Sequence, residues 1–104
     1  MIKGYAALLA PELVGCGLAA LIFVTLDRPE ARAAFLRLAG GLAAVQECHH
    51  VAGDGDYVLK VRCADTRELE RLITDEIKAI PGVGRTKTVI ILSTVKETPV
   101  LPVK

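Results

Sequence analysis

Charge of one sign is missing from this chain: thirteen Lys and Arg stand against twelve Asp and Glu, a formal net charge of +1 over 104 residues. A near-neutral surface draws in neither a nucleic-acid backbone nor an anionic membrane, so DNA binding by this chain alone is not expected. Cysteine pairs are missing too. Cys16, Cys48 and Cys63 are scattered and form no C-x-x-C motif, which removes the common zinc and redox-dithiol patterns and points to a reducing cytoplasm. No apolar run has the length of a bilayer; that from Leu18 to Leu26 is too short, and it lies too far in, behind Pro11-Glu12, for a signal peptide. P-loop, G-x-G-x-x-G, Ser/His/Asp order and paired His/Cys ligand spacing are all absent, so enzyme chemistry lacks its parts and neither metal nor cofactor is expected.

What is present is apolar residues, 52% of the chain, which is rich for one small domain and suggests apolar surface left over in a monomer. The whole of residues 1–104 is expected to be that domain, with residues 96–104 as an extended tail held outside any central strand by Pro99 and Pro102. Gly17 to Leu26 mixes β-branched and apolar residues without polar alternation, as a strand buried on both faces does. "DRPE" from Asp27 and "DTRE" from Asp65 each place a glutamate three residues after an aspartate, a pattern of capped helix starts. Ala31, Ala34, Phe35 and Leu38 share one helical face, as do Leu69, Leu72, Ile73, Ile77 and Ile80, and Gly40-Gly41 and Pro81-Gly82 end the two helices. Ala44 to Ala52 and Asp56 to Cys63 read as the arms of a hairpin, and Thr86 to Val95 as the last strand.

The order β-α-β-β-α-β, with Val-x5-Val echoed at Val45/Val51 and Val83/Val89, is the split βαβ arrangement. The fold class is thus α+β, ferredoxin-like, with two helices on one face of a four-stranded antiparallel sheet. The other face has no helix to cover it. The first strand offers Leu18, Ala20, Ile22, Val24 and Leu26 on one side and Ala19, Leu21 and Phe23 on the other, so a second copy of the chain is the natural cover. The expectation is a homodimer through the strand's second apolar face, with Ile22 and Val24 as positions where a charge breaks it.

Two stretches could carry chemistry. In "VAGDGDYVLKV", glycine and aspartate suit a turn because they tolerate left-handed backbone and bond locally. Two carboxylates with exposed N–H groups also suit the ammonium and carboxylate of a zwitterion, and Asp56, at the strand's first position, is the better partner for the ammonium. His49-His50 could supply a base, but neighbouring strand residues point to opposite faces, leaving only Glu47 to join His49.

"IKGYAALLAPELVG", "VAGDGDYVLKV" and "IPGVGRTKTVIILSTVKETPVLPV" together resemble the C-terminal effector domain, or RAM domain, of the Lrp/AsnC (feast/famine) transcription regulators, across essentially the whole chain. The resemblance implies a domain that dimerises through its sheets, assembles into tetramers or octamers, and binds a small effector, usually an amino acid, between dimers. By position it assigns that ligand to Gly53, Asp54, Gly55, Asp56 and Tyr57, with Thr86 and Thr88 from "GRTKT". Two departures stand out. The N-terminal helix-turn-helix of such regulators is missing ahead of Met1, implying either a fragment or a stand-alone member that acts through a full-length relative. Gly55 stands where the family often has a bulkier residue, implying a looser pocket and a different effector. The competing reading is a small dimeric ferredoxin-like enzyme with His49 or His50 as base.

Overall fold

The computed structural model describes residues 17–53 and 55–100. Strand β1 (Leu18–Leu26) is followed by helix α1 (Ala31–Gly41), strands β2 (Val45–His50) and β3 (Tyr57–Cys63), helix α2 (Thr66–Arg71, continued by a π-helical turn at Leu72–Ile77) and strand β4 (Val83–Ile91). The four strands form one sheet in the order β2-β3-β1-β4, every neighbouring pair antiparallel. This is the ferredoxin-like order anticipated from the sequence. The expected opening segment "IKGYAALLAPELVG", Cys16, Asp54 and Pro102 fall outside the described residues.

The core lies between the sheet and the helices. Alternation along β1 puts Ala20, Ile22 and Val24 on the inner face, each with no exposed surface, in one cluster with Leu59, Val61 and Cys63 of β3 and Phe35, Leu69, Leu72 and Ile77 of the helices. Each large aliphatic or aromatic side chain there contributes about 1.5–3 kcal/mol on full burial. The opposite face carries Leu21 and Phe23, only partly covered, beside Val58 of β3 and Val89 and Ile91 of β4. Two expectations are corrected by this: β1 is not equally buried on both faces, and Ile22 and Val24 belong to the monomer's core, not to its open face.

Only one of the two Asp-x-x-Glu starts works as a cap. At α2 the Asp65 carboxylate accepts the Glu68 N–H (2.9 Å), one of the first-turn groups the helix itself leaves unpaired, and the Glu68 carboxylate accepts the N–H of Ala64 just ahead of the cap (3.1 Å). At α1 the cap position is Glu30, with no side-chain bond. Asp27 is drawn elsewhere: its N–H donates to the Gly82 carbonyl at 2.7 Å, and its carboxylate lies where a Cβ on Gly84 would stand. The helix starts after a turn in which Ala31 N–H meets Arg28 C=O at 3.1 Å and Arg32 N–H meets Pro29 C=O at 3.2 Å.

Element ends also moved. β4 begins at Val83 and stops at Ile91, which pairs with Ala19 near the start of β1, so the residues to Val95 have no partner strand to lie against. The hairpin arms are shorter than expected, leaving Val51–Asp56 as a loop. Residues 92–100 form neither helix nor strand, and Glu97 meets Lys60 of β3 at 2.8 Å. Pro81-Gly82 closes α2, with Gly82 at φ +96°.

Candidate functional site

The loop between β2 and β3 is held at three points. Val51 N–H donates to Asp56 C=O (3.0 Å), Asp56 N–H donates to Val24 C=O (2.9 Å), and the Asp56 carboxylate accepts the Leu26 N–H (2.8 Å). Gly53 and Gly55 supply the positive φ values, 130° and 83°, that let so short a path return, a conformation other residues adopt only with strain. The loop is thus more than a turn: it caps the end of the sheet and closes over β1.

The residues assigned to a ligand do not gather in one place within a single chain. Gly53 is exposed at the loop. Gly55 lies over the open face, where a Cβ would be 3.4 Å from Val24 C=O, 3.5 Å from Thr25 Oγ1 and 3.7 Å from the Phe23 Cβ. Tyr57 is 4% exposed on the helix side, its ring packed 5.1 Å from that of Phe35 and stacked 4.8 Å from that of His50. Asp56 and Tyr57 share a shallow hollow with Leu26, Asp27 and Arg28. Thr86 and Thr88 pair with Val24 and Ile22, so their side chains share the helix face of the sheet, opposite to Gly55.

A second cleft, on the open face, has a volume of about 260 Å³ and is lined by Phe23, Thr25, Gly55, Arg85 and Lys87. Arg85 and Lys87 are opposite Thr25 and Phe23 in the β1–β4 ladder, so both cations project on the same side as those residues. Sequence reading passed over them. The signal was present in "GRTKT", where cations and threonines alternate; once β4 is carried back to Val83, that alternation sends Arg85 and Lys87 to one face and Thr86 and Thr88 to the other.

The two histidines do not share a pocket: His50 lines the hollow beside Asp56 and Tyr57, and His49 does not. His49 Nε2 is 2.9 Å from Glu47 Oε1, with both side chains more than half exposed, while His50 stacks on Tyr57 on the other face. Cys48 lies on the helix face beside Leu59, and burial pushes its thiol pKa up. Among the described residues no three His, Cys, Asp or Glu side chains group as metal ligands, and no helix is long and apolar enough to cross a membrane.

Comparison with known proteins places this geometry in a family. The model of the Lrp/AsnC ligand binding domain matches residues 19–101. The leucine-responsive regulatory protein of Haemophilus influenzae is 40% identical over 106 residues, covering 100% of this chain and 64% of its own length; the chain therefore spans less than two thirds of that relative. A transcriptional regulator of Neisseria meningitidis, solved as a complex with L-methionine, superposes with a TM-score of 0.87 at 30% identity, over 97% of this chain and 66% of that one. A feast or famine regulatory protein of M. tuberculosis, also complexed with L-methionine, superposes at 0.74 with 34% identity, over 89% and 62%. These relatives are regulators, which sets aside the enzyme built on His49 or His50. With its ferredoxin-like sheet and its glycine-aspartate loop, the chain belongs to the Lrp/AsnC ligand-binding-domain family.

Proposed function

We propose that the chain senses a small effector, an amino acid with an apolar side chain, and couples its binding to assembly of a transcription regulator. The ligand sits at the hairpin loop, on Gly53, Asp54, Gly55, Asp56 and Tyr57, and is completed by Thr86 and Thr88. Because Gly55 and the two threonines lie on opposite faces of one sheet, a ligand that touches both must lie at a junction where another copy contributes. That division of the site, found in a family defined by ligand binding, is the observation that carries the reading. The L-methionine complexes of two relatives and the leucine-responsive name of a third make methionine and leucine the first candidates.

The part of the open face away from the loop, with Leu21 of β1 and Val89 and Ile91 of β4, is covered by a second copy, since apolar patches of this kind favour association. Dimers then join into tetramers or octamers with the effector between them, in the cytoplasm. With a net charge of +1, these 104 residues add little DNA affinity of their own.

Light scattering and calorimetry on the purified chain with L-methionine and L-leucine test this. Binding heat with a change in mass for either ligand is expected. Neither heat nor mass change with both would overturn it.

A further inference from the structure

We infer that the open-face cleft recognises the carboxylate of the ligand, through Arg85 and Lys87, and that the ammonium contributes little there. This rests on the ligand-binding reading above and adds residues to it. Arg85 and Lys87, two apart on β4 and facing the same way, set two positive charges side by side where an anion between them is favoured. Among the described residues neither is joined to a carboxylate in an ion pair, and no acidic side chain lines the cleft. Its remaining walls suit an amino acid of the proposed class. Thr25 offers a hydroxyl opposite Arg85, Phe23 offers an apolar surface opposite Lys87, and Gly55 closes the cleft with backbone alone at a φ of 83°. Arginine can grip a carboxylate with two parallel N–H bonds while lysine adds a point charge, and such charge-assisted bonds are about twice as strong as neutral ones.

The consequence is a sensor that reads the acid end of its ligand. The amide of an amino acid should bind poorly, and the matching 2-oxo acid, which keeps the carboxylate and lacks the ammonium, should bind nearly as well as the amino acid.

Calorimetry with L-methionine, L-leucine, their amides and their 2-oxo acids tests this on the parent chain and on Arg85→Gln and Lys87→Gln, with circular dichroism and light scattering to confirm fold and mass. We expect the amide to bind at least about ten-fold more weakly than the acid, and each substitution to weaken the acid by about ten-fold while leaving the residual binding of the amide unchanged. Amino acid and amide of equal affinity would overturn the inference, as would 2-oxo acids that fail where amides succeed. Unchanged acid affinity in both variants would overturn it and leave the ligand reading standing. A changed mass with unchanged ligand affinity would make the cations contacts between copies instead. Failure of the parent to bind methionine and leucine in any form would bring down the ligand reading itself.

Discussion

The Asp56 carboxylate accepts the backbone N–H of Leu26 at 2.8 Å, tying the hairpin loop to a residue thirty positions earlier. Leu26 is the place where the β1–β4 register slips, so the carboxylate supplies an acceptor at an irregular point of the ladder. Asp56→Ala should destabilise the chain by about 1–3 kcal/mol, the cost of leaving a part-buried N–H unpaired. Asp56→Asn keeps an oxygen in place and should cost less. Urea unfolding midpoints decide it. Loss of ligand affinity by Asp56→Asn at parental stability would show that the carboxylate meets the ligand as well as the Leu26 N–H.

Leu21 and Ile22 are adjacent in β1 yet predict different failures. Ile22 has no exposed surface, so Ile22→Asp should unfold the chain, because an unpaired buried charge costs several kcal/mol. Leu21, on the open face, should tolerate aspartate as a folded monomer. Circular dichroism and sedimentation separate the two outcomes, and a Leu21→Asp chain with parental mass would place the interface elsewhere.

Gly82→Ala should destabilise by about 1–3 kcal/mol, since a non-glycine residue at left-handed φ is strained. Here φ is +96°, and the new Cβ would stand 2.8 Å from that of Ala31. Thermal unfolding measures the loss. The same change at Gly40, where nothing lies within 4 Å of a new Cβ, should stabilise slightly, because alanine favours helix.

The contact between Lys60 and Glu97 should respond to acid. The hydrogen bond and charge of Lys60 hold the Glu97 carboxyl below its ordinary range, with a smaller pull from Arg62. A carboxylate lowered in this way favours the folded contact above its unfolded pKa and loses that contribution as pH falls through the lowered value. The tail should therefore stay docked around neutrality and detach only in the acid range, and Lys60→Met should detach it throughout. Amide NMR relaxation at Glu97 reads this directly; a tail equally mobile in parent and variant would refute it. Global stability should barely move, since an exposed pair contributes little.

The fold was largely readable because its signals are local. Asp65-x-x-Glu68 caps α2 with its own backbone, and the inner-face apolar residues repeat at two in the strands and near 3.6 in the helices. The failures share a cause. Asp27 has the same spacing to Glu30, yet Gly82, just ahead of β4, and Gly84 within it claim Asp27, a contact no local pattern displays. Both sides of β1 are apolar, so alternation alone could not tell Ile22's face from Leu21's. The site was half legible: the loop announced itself by its glycines, whereas Arg85 and Lys87 became neighbours of Gly55 only when β4 was laid beside β1 in its actual register.

The widened turn in α2 bears on how chains of this kind diverge. Lys78 N–H reaches back five residues to Ile73 C=O at 2.8 Å, one more than an α-helix allows. Losing one residue between Leu72 and Ile77 would let the turn close to ordinary pitch, with the Asp65 cap and Leu69 undisturbed upstream. Length differences between relatives should therefore be absorbed in this turn before they appear elsewhere in the helix.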